Sequence, residues 1–422
     1  MVLLNTNNKM DIIIGAGVSG ISYANFTNNE YIVLEKDDSI GGYCKTIKRN
    51  GYVWDYSGHF FHFQNPELEK YVCKNIDPTT LRKINKKTQI LYKGKYIDFP
   101  FQKNIHQLDK EEFIDCLYDL FVTDEIQPNS FKNMVYKNLG KSISEKFLIP
   151  YNEKLYACDL NKLDANAMGR FFPKASKEDI IQNFRKSENQ SYNSFFTYPE
   201  GGAIEYIKSL ASNIESNKIF LNEKVEQIDP KNKIVQTNKR TLYYDHLIST
   251  IPFPKLLDIC DLGYNKQLYT CNKVMVFNLG FDRKGSDLQN HWVYIPDKDI
   301  IFYRIGYYDN IIQSNKMSLY IEIGFPKDVQ LKEESFYLDK VMDDLKKLRI
   351  VQNEQLVDYH SVVMDPAYVH ISKESLEDIK RLKEQLAFYQ IYSIGRYGSW
   401  TYCSIEDNIK EAQKVAQTIS KS

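Results

Sequence analysis

The chain has 422 residues, more than one hydrophobic core usually serves, so two or three domains are expected. Its 55 Lys and Arg cancel its 55 Asp and Glu, which excludes a general nucleic-acid or polyanion binder, and 43% hydrophobic with 26% charged residues excludes disorder and collagen-like repeats. No stretch approaches the roughly 20 apolar residues of a membrane span, the N-terminal MVLLNTNNK lacks a signal-peptide pattern, and seven scattered cysteines with no CxxC imply buried thiols, so a cytoplasmic protein without disulfides or a metal site is expected.

Met10–Ile14 is an apolar run too short for a helix, and Gly15-Ala16-Gly17-Val18-Ser19-Gly20 follows it at once. A helix-compatible stretch leads to a second strand, Tyr31-Ile32-Val33-Leu34, which closes on Glu35. Strand, glycine turn, helix, strand and acid form the dinucleotide-binding pattern of a Rossmann-like α/β domain. Gly15 makes the turn, Gly17 admits a pyrophosphate to the backbone, Gly20 lets helix and sheet approach, and Glu35 accepts from a ribose hydroxyl.

Ser39-Ile40-Gly41-Gly42-Tyr43-Cys44-Lys45-Thr46 comes within a few residues of the acid. An acid followed by this double glycine resembles the FAD-binding signature of the amine oxidase and protoporphyrinogen oxidase superfamily and is generally lacking in NAD enzymes. The resemblance therefore favours FAD and implies cofactor contacts at Gly15, Gly17, Val18, Ser19, Gly20, Glu35, Lys36, Gly41 and Gly42.

Further motifs, spread from about residue 10 to 410, resemble one branch of that superfamily, the UDP-galactopyranose mutases, and most of all their eukaryotic-type members. Gly51 to His59 is similar to a family segment ending in Gly-Gly-His against the flavin, with Ser57 in place of the first glycine. Here the resemblance implies that Gly58 and His59 face the cofactor, whereas His62 reads as structural. Phe99-Pro100-Phe101-Gln102 resembles the family's uracil-binding Tyr-Pro-Phe-Gln, and a further basic contact before it falls on Lys86 or Lys87. Residues 107 to 170 have helical periodicity, for instance Phe113, Leu117, Leu120 and Phe121. This stretch resembles the family's helical insert, which implies substrate contacts at Tyr156 and at Arg170, the latter on the pyrophosphate. The resemblance likewise implies Asn193, which begins a segment ending in Gly201-Gly202, on the same side and the Val225 backbone near adenine. Lys224–Ile228 and Tyr244–Pro252 read as strands returning to the FAD domain.

Trp292-Val293-Tyr294-Ile295-Pro296 and Ile301-Phe302-Tyr303-Arg304 read as two strands joined by the polar turn Asp297-Lys298-Asp299. Such a hairpin sets Trp292 and Arg304 on one side of a sheet, and a guanidinium can hold two phosphate oxygens at once. The family has tryptophan, tyrosine and arginine at these offsets. Tyr368, then Gly395-Arg396-Tyr397-Gly398-Ser399-Trp400-Thr401-Tyr402, match its C-terminal motifs. They imply Gly395 and Arg396 near flavin and sugar, with Tyr294, Tyr368 and Tyr402 as hydroxyl donors to the pyrophosphate. Ser404 and Asp407 have capping-box spacing, and Asp407 with Asn408 is implied to contact FAD.

The expected fold is α/β: an FAD-binding domain at 10–65, 200–260 and 385–420, a helical insert at 105–185, and an antiparallel β-sheet substrate domain at 66–104 and 265–370. The resemblance implies a nucleotide-sugar pyranose–furanose mutase, acting on UDP-galactopyranose or a close analogue and supplying furanose for cell-surface glycans. N5 of reduced FAD would be the nucleophile at the anomeric carbon, with NAD(P)H as reductant and no net redox change. Arg304, Arg170, His59 and Arg396 are the implied catalytic groups, and Phe99, Phe101, Gln102 and Trp292 complete the substrate site. An oxidoreductase of the amine oxidase type is the alternative, although arginines facing the substrate would repel an ammonium. The sugar stays open, and the sequence carries no signature for or against a homo-oligomer.

Overall fold

The computed structural model describes residues 10–122, 125–185 and 194–421. Ile12, Ile13 and Ile14 are all buried, as expected of a strand covered on both faces of a parallel sheet. Met10–Ile14 pairs in parallel with Glu30–Leu34 on one side and His246–Ser249 on the other. Ile391–Ser393 and Ile219–Phe220 complete the five strands at either edge. Alternation sorts the side chains: Ile13 and Val33 join a cluster with Ile21, Ile207 and Ile409, while Ile12, Ile14 and Leu34 face the opposite cluster with Leu247 and Leu256. The first helix, Val18–Phe26, packs against Ile405–Ile419 and Ile204–Ala211.

A buried polar knot ties this layer together away from the glycine turn. Asp11 accepts from Tyr23 Oη at 2.7 Å, Thr27 Oγ1 at 2.9 Å and Asn29 Nδ2 at 3.0 Å, and meets His246 Nδ1 at 2.8 Å. Of the two segments expected as strands of the FAD domain, His246–Ser249 joins this sheet. Val225–Asp229 instead pairs antiparallel with Ile234–Thr237, in a separate three-stranded sheet with Thr241–Tyr243.

The second large sheet has seven strands in the order Leu356–Met364, Asn272–Phe281, Ser318–Pro326, Arg304–Tyr307, Trp292–Tyr294, Thr88–Tyr92 and Lys95–Asp98. It is not wholly antiparallel as expected, because Trp292–Tyr294 runs parallel to Thr88–Tyr92, a strand that arrives from a distant part of the chain rather than through a hairpin. One face is dry: Leu279, Phe281, Val293, Ile305, Ile321 and Ile323 pack with Tyr337, Val341 and Leu345 of the helix Glu334–Lys347. The opposite face carries Trp292, Tyr294, Arg304, Tyr320 and Glu322, because register partners project to the same side.

Between the sheets' segments lie helices Lys110–Phe121, Phe131–Ile143, Ile149–Tyr156 and Lys177–Arg185. Gly140, at φ 73°, lets the first two approach, since a Cβ there would meet the Asp119 carbonyl oxygen at 2.2 Å. Leu120 and Cys116 face the core, but Phe121, expected on the same stripe, is 55% exposed. It lies about 100° around the helix from Leu120, and Lys177 Nζ covers its ring at 5.2 Å. No helix among the described residues is long and apolar enough to cross a membrane.

Candidate functional site

A cavity of about 1240 Å³ runs from the carboxyl ends of the parallel strands to the polar face of the seven-stranded sheet. Open α/β sheets hold ligands at those strand ends. Drug-sized ligands occupy pockets of about 300–1,000 Å³, so this one has room for a dinucleotide and a second molecule.

The glycine turn builds the first arm. Gly15 has φ 101°, and a Cβ there would meet Thr250 Oγ1 at 2.3 Å. Gly42 faces Gly17 so closely that a Cβ on Gly42 would lie 3.3 Å from the Gly17 Cα, so the two glycine segments form a narrow backbone-walled slot. The helix Val18–Phe26 begins without a side-chain cap, leaving its first N–H groups for a phosphate. Glu35 is buried, its Oε2 accepting the Ala16 N–H at 2.7 Å and its Oε1 the Asp37 N–H at 3.0 Å, which fixes the carboxylate at the arm's end. Val18, Ser19, Lys36, Gly41, Gly58, Val225 and Gly395 also line the cavity. Gly20 does not; its missing Cβ would strike the Gly15 carbonyl oxygen at 1.9 Å, so it serves helix–strand contact. This cradle, open only where side chains are missing, fits a dinucleotide.

The second arm is the sheet face. Tyr294 and Arg304 are register partners, as are Arg304 and Glu322, which places aromatic, guanidinium and carboxylate in one row. Arg304 Nε donates to Glu322 Oε2 at 2.8 Å and Nη2 to Oε1 at 2.6 Å. Burial opposes the charge of each, yet the pairing prevails: Arg304 is held well above its ordinary pKa and Glu322 is held below the ordinary carboxylate value. Trp292 Nε1 donates to Tyr294 Oη at 2.9 Å. Phe99 lies across from them, its ring 5.1 Å from that of Tyr294, and Lys86 Nζ sits 5.4 Å from the Phe99 ring and 5.8 Å from that of Trp292. Of the two candidates it is thus Lys86 that lines the cavity, whereas Lys87 Nζ bonds Gln289.

Phe101 and Gln102 do not reach the cavity. The short turn Phe101–Lys103 rotates them inward, where Phe101 stacks on Phe147 and Gln102 donates to the Pro173 carbonyl. Tyr156 is also displaced, buried between Phe131 and Tyr368 with its hydroxyl unpaired.

The C-terminal motif closes the site. Arg396 stacks between aromatic rings, its Cζ 4.7 Å from Tyr402 and 5.2 Å from Tyr368. Its Nε is buried without a partner, and it has no carboxylate partner among the described residues. His59 also lines the cavity with Nδ1 unpaired, and burial, reinforced by Arg396, pushes it down to about 4. It is therefore neutral near pH 7. His62, at the cavity edge, is anchored through Nδ1 to the Phe195 carbonyl at 2.8 Å.

Asp407 turns away from the cavity. It completes the capping box with Ser404 and receives Arg170 Nη2 at 2.7 and 2.6 Å. Asn408 reaches the wall, but its amide is engaged: Oδ1 accepts the Arg396 N–H at 2.7 Å and Nδ2 donates to the Ser404 carbonyl at 2.8 Å. Arg170 stands at the rim. Asn193 lies outside the described residues. Sequence reasoning missed Tyr320, which lines the cavity, and Glu322, the buried partner of Arg304 behind it. The lone acid in Ile321-Glu322-Ile323 was a signal, since a carboxylate inside an apolar strand requires a buried partner.

A model of the flavin-containing amine oxidoreductases matches residues 27–420. Chloroplastic protoporphyrinogen oxidase of Nicotiana tabacum is 29% identical over 167 residues, 37% of this chain and 30% of that protein. A probable UDP-galactopyranose mutase of Klebsiella pneumoniae is 24% identical over 238 residues, 52% of this chain and 58% of that one. The chain thus covers less than two thirds of either relative. Among solved structures, a reduced UDP-galactopyranose mutase superposes with a TM-score of 0.89 at 21% identity, covering 98% of this chain and 96% of that one. A putative protoporphyrinogen oxidase from Exiguobacterium sp. 255-15 gives 0.79 at 16%, covering 98% and 99%. At these identities the likeness establishes the shared fold.

Proposed function

The chain belongs to the flavin-containing amine oxidoreductase family, and from that premise we propose that it is an FAD-dependent pyranose–furanose mutase of a nucleotide sugar, with UDP-galactopyranose or a close analogue as substrate. One observation carries this reading. Beyond the dinucleotide cradle, the same cavity holds a second slot in which Arg304, Tyr294 and Trp292 share a sheet face opposite Phe99 and Lys86. Aromatic faces suit a nucleobase, and a guanidinium fork suits a pyrophosphate. An amine substrate fits poorly, because Arg396 already places in the cavity a cation with no carboxylate partner among the described residues.

The exchange breaks the bond between C1 and UDP, opens the ring, recloses it through another hydroxyl and restores the bond to UDP. When bound and reduced, FAD would supply the nucleophile for C1. The chain's own residues bind and stabilise charge. Glycines 15, 17, 41 and 42, with Glu35, would hold the dinucleotide. Arg304 would orient the departing diphosphate through its free donors, Arg170 would offset charge growing on it, and Tyr294, Tyr368 and Tyr402 would donate hydrogen bonds to it. Neutral His59 and cationic Arg396 would line the sugar end, and nucleotide binding would orient the sugar.

The test is incubation of dithionite-reduced or NAD(P)H-reduced protein with a panel of nucleotide sugars, followed by separation of pyranose from furanose. The expected result is furanose formed without oxygen uptake, by reduced protein only. Turnover of an amine or a porphyrinogen by oxidised protein, with stoichiometric oxygen consumption and no furanose, would overturn the reading in favour of an oxidase.

A further inference from the structure

We infer that Ser57 and Glu322 form a positioning pair that aims the Arg304 guanidinium into the cavity and couples it to the segment carrying His59. The inference rests on the nucleotide-sugar reading and extends it to two residues outside the clamp itself.

Glu322 is fully buried, and a carboxylate there is tolerable only if it is paired and hydrogen-bonded. Arg304 supplies the pairing through Nε and Nη2. A guanidinium has five N–H donors in a planar fork, so this edge-on grip leaves the Nη1 edge for a ligand. Glu322 therefore sets the direction in which Arg304 presents its free donors.

Ser57 Oγ donates to Glu322 Oε1, the oxygen that also receives Arg304 Nη2. The Ser57 carbonyl in turn accepts the His59 N–H at 2.7 Å. Gly58 between them presses on Tyr320 so tightly that a Cβ would lie 2.5 Å from its hydroxyl oxygen. Arginine, carboxylate, serine and histidine backbone thus form one continuous hydrogen-bonded path. When a phosphate takes the Nη1 edge and shares the Arg304 charge, the buried carboxylate loses part of its compensation and leans more on the Ser57 hydroxyl. Nucleotide binding then tightens residues 56–60, and by linkage the tightened segment favours nucleotide.

The experiment uses the full chain loaded with FAD. UDP is titrated by calorimetry, and hydrogen exchange of peptides spanning 56–60 is followed with and without UDP. The wild-type protein is expected to bind UDP and to gain protection there. Ser57→Ala, which removes one hydroxyl and no charge, is expected to weaken UDP binding about three- to tenfold, the range for one ordinary hydrogen bond, and to abolish the added protection. Glu322→Asp keeps the charge but withdraws it by one methylene, and is expected to cost about tenfold or more. In an Arg304→Lys background Ser57→Ala should cost nothing further, which a merely structural serine would not produce. Wild-type UDP affinity in Ser57→Ala, with protection intact, overturns the inference even if Glu322→Asp fails to fold. Absence of UDP binding to the wild-type protein overturns the nucleotide-sugar reading and the inference with it.

Discussion

Arg304 and Glu322 are register partners on adjacent antiparallel strands, and the guanidinium donates to both carboxylate oxygens, at 2.8 and 2.6 Å. The pair is electrically neutral as a unit, so Arg304 serves a ligand by geometry more than by net charge. Substitution by lysine separates the two contributions. Arg304→Lys keeps a cation beside Glu322 but loses the fork, and UDP affinity is expected to fall about tenfold or more while FAD content is unchanged. Calorimetric titration with the flavin absorbance as a loading control checks this; wild-type affinity would remove Arg304 from the diphosphate.

Lys86 predicts a pH dependence. Burial pushes its ammonium down to about 8, and it lies over the rings of Phe99 and Trp292. The charged form prevails below that value and is lost as pH rises through it. An anionic nucleotide is therefore expected to bind more weakly at pH 9 than at pH 7, and Lys86→Met should flatten the profile at the weaker level. Parallel Kd profiles for the two proteins decide it, and an unchanged slope in the variant would assign the titration elsewhere.

The features legible in the sequence are those whose chemistry lies in consecutive residues. Gly15 to Gly20 with Glu35 reads as strand, turn, helix and acid, because each part constrains its neighbour. Trp292, Tyr294 and Arg304 share a face because two short strands of one hairpin set their register. Direction was harder to read. Gln102 sits beside Phe99 in the chain, yet a single 3₁₀ turn sends the amide to Pro173 instead of the cavity. Asp407 follows the Tyr402 motif closely, but its carboxylate is claimed by Ser404 and by Arg170, 237 residues away in the chain. The acid in Ile321-Glu322-Ile323 signals a buried partner without naming it, and Lys86 is told from Lys87 only by Phe99 and Trp292, contacts that a single sequence does not place.

Gly15 gives a prediction about the cofactor arm. Its φ of 101° disfavours any side chain, and a Cβ would meet Thr250 Oγ1 at 2.3 Å. Gly15→Ala is expected to lower flavin content per chain by half or more, since backbone strain of about 1–3 kcal/mol falls where the pyrophosphate would bind. Adding Thr250→Ala removes the collision but not the unfavourable φ, so recovery should be partial. The ratio of flavin to protein absorbance after gel filtration measures both. Full flavin content in Gly15→Ala would mean that the cofactor does not depend on this turn.

Asp407 separates two roles for the C-terminal helix start. Its carboxylate holds Arg170 at 2.7 and 2.6 Å while also accepting the Ser404 N–H at 2.9 Å. If Arg170 grips a diphosphate, Asp407 competes with that ligand for the guanidinium. Asp407→Asn keeps an oxygen acceptor for the cap but removes the competing charge, and a partly exposed pair of this kind is worth about 1 kcal/mol or less. UDP affinity is therefore expected to rise about two- to fivefold with FAD content unchanged, and the gain should vanish in an Arg170→Ala background. A direct role for Asp407 on FAD gives the opposite pattern, with flavin lost and UDP affinity unmoved. Measuring both quantities on the same preparations distinguishes an anion-gripping Arg170 parked on its own carboxylate from a helix terminus that serves the cofactor.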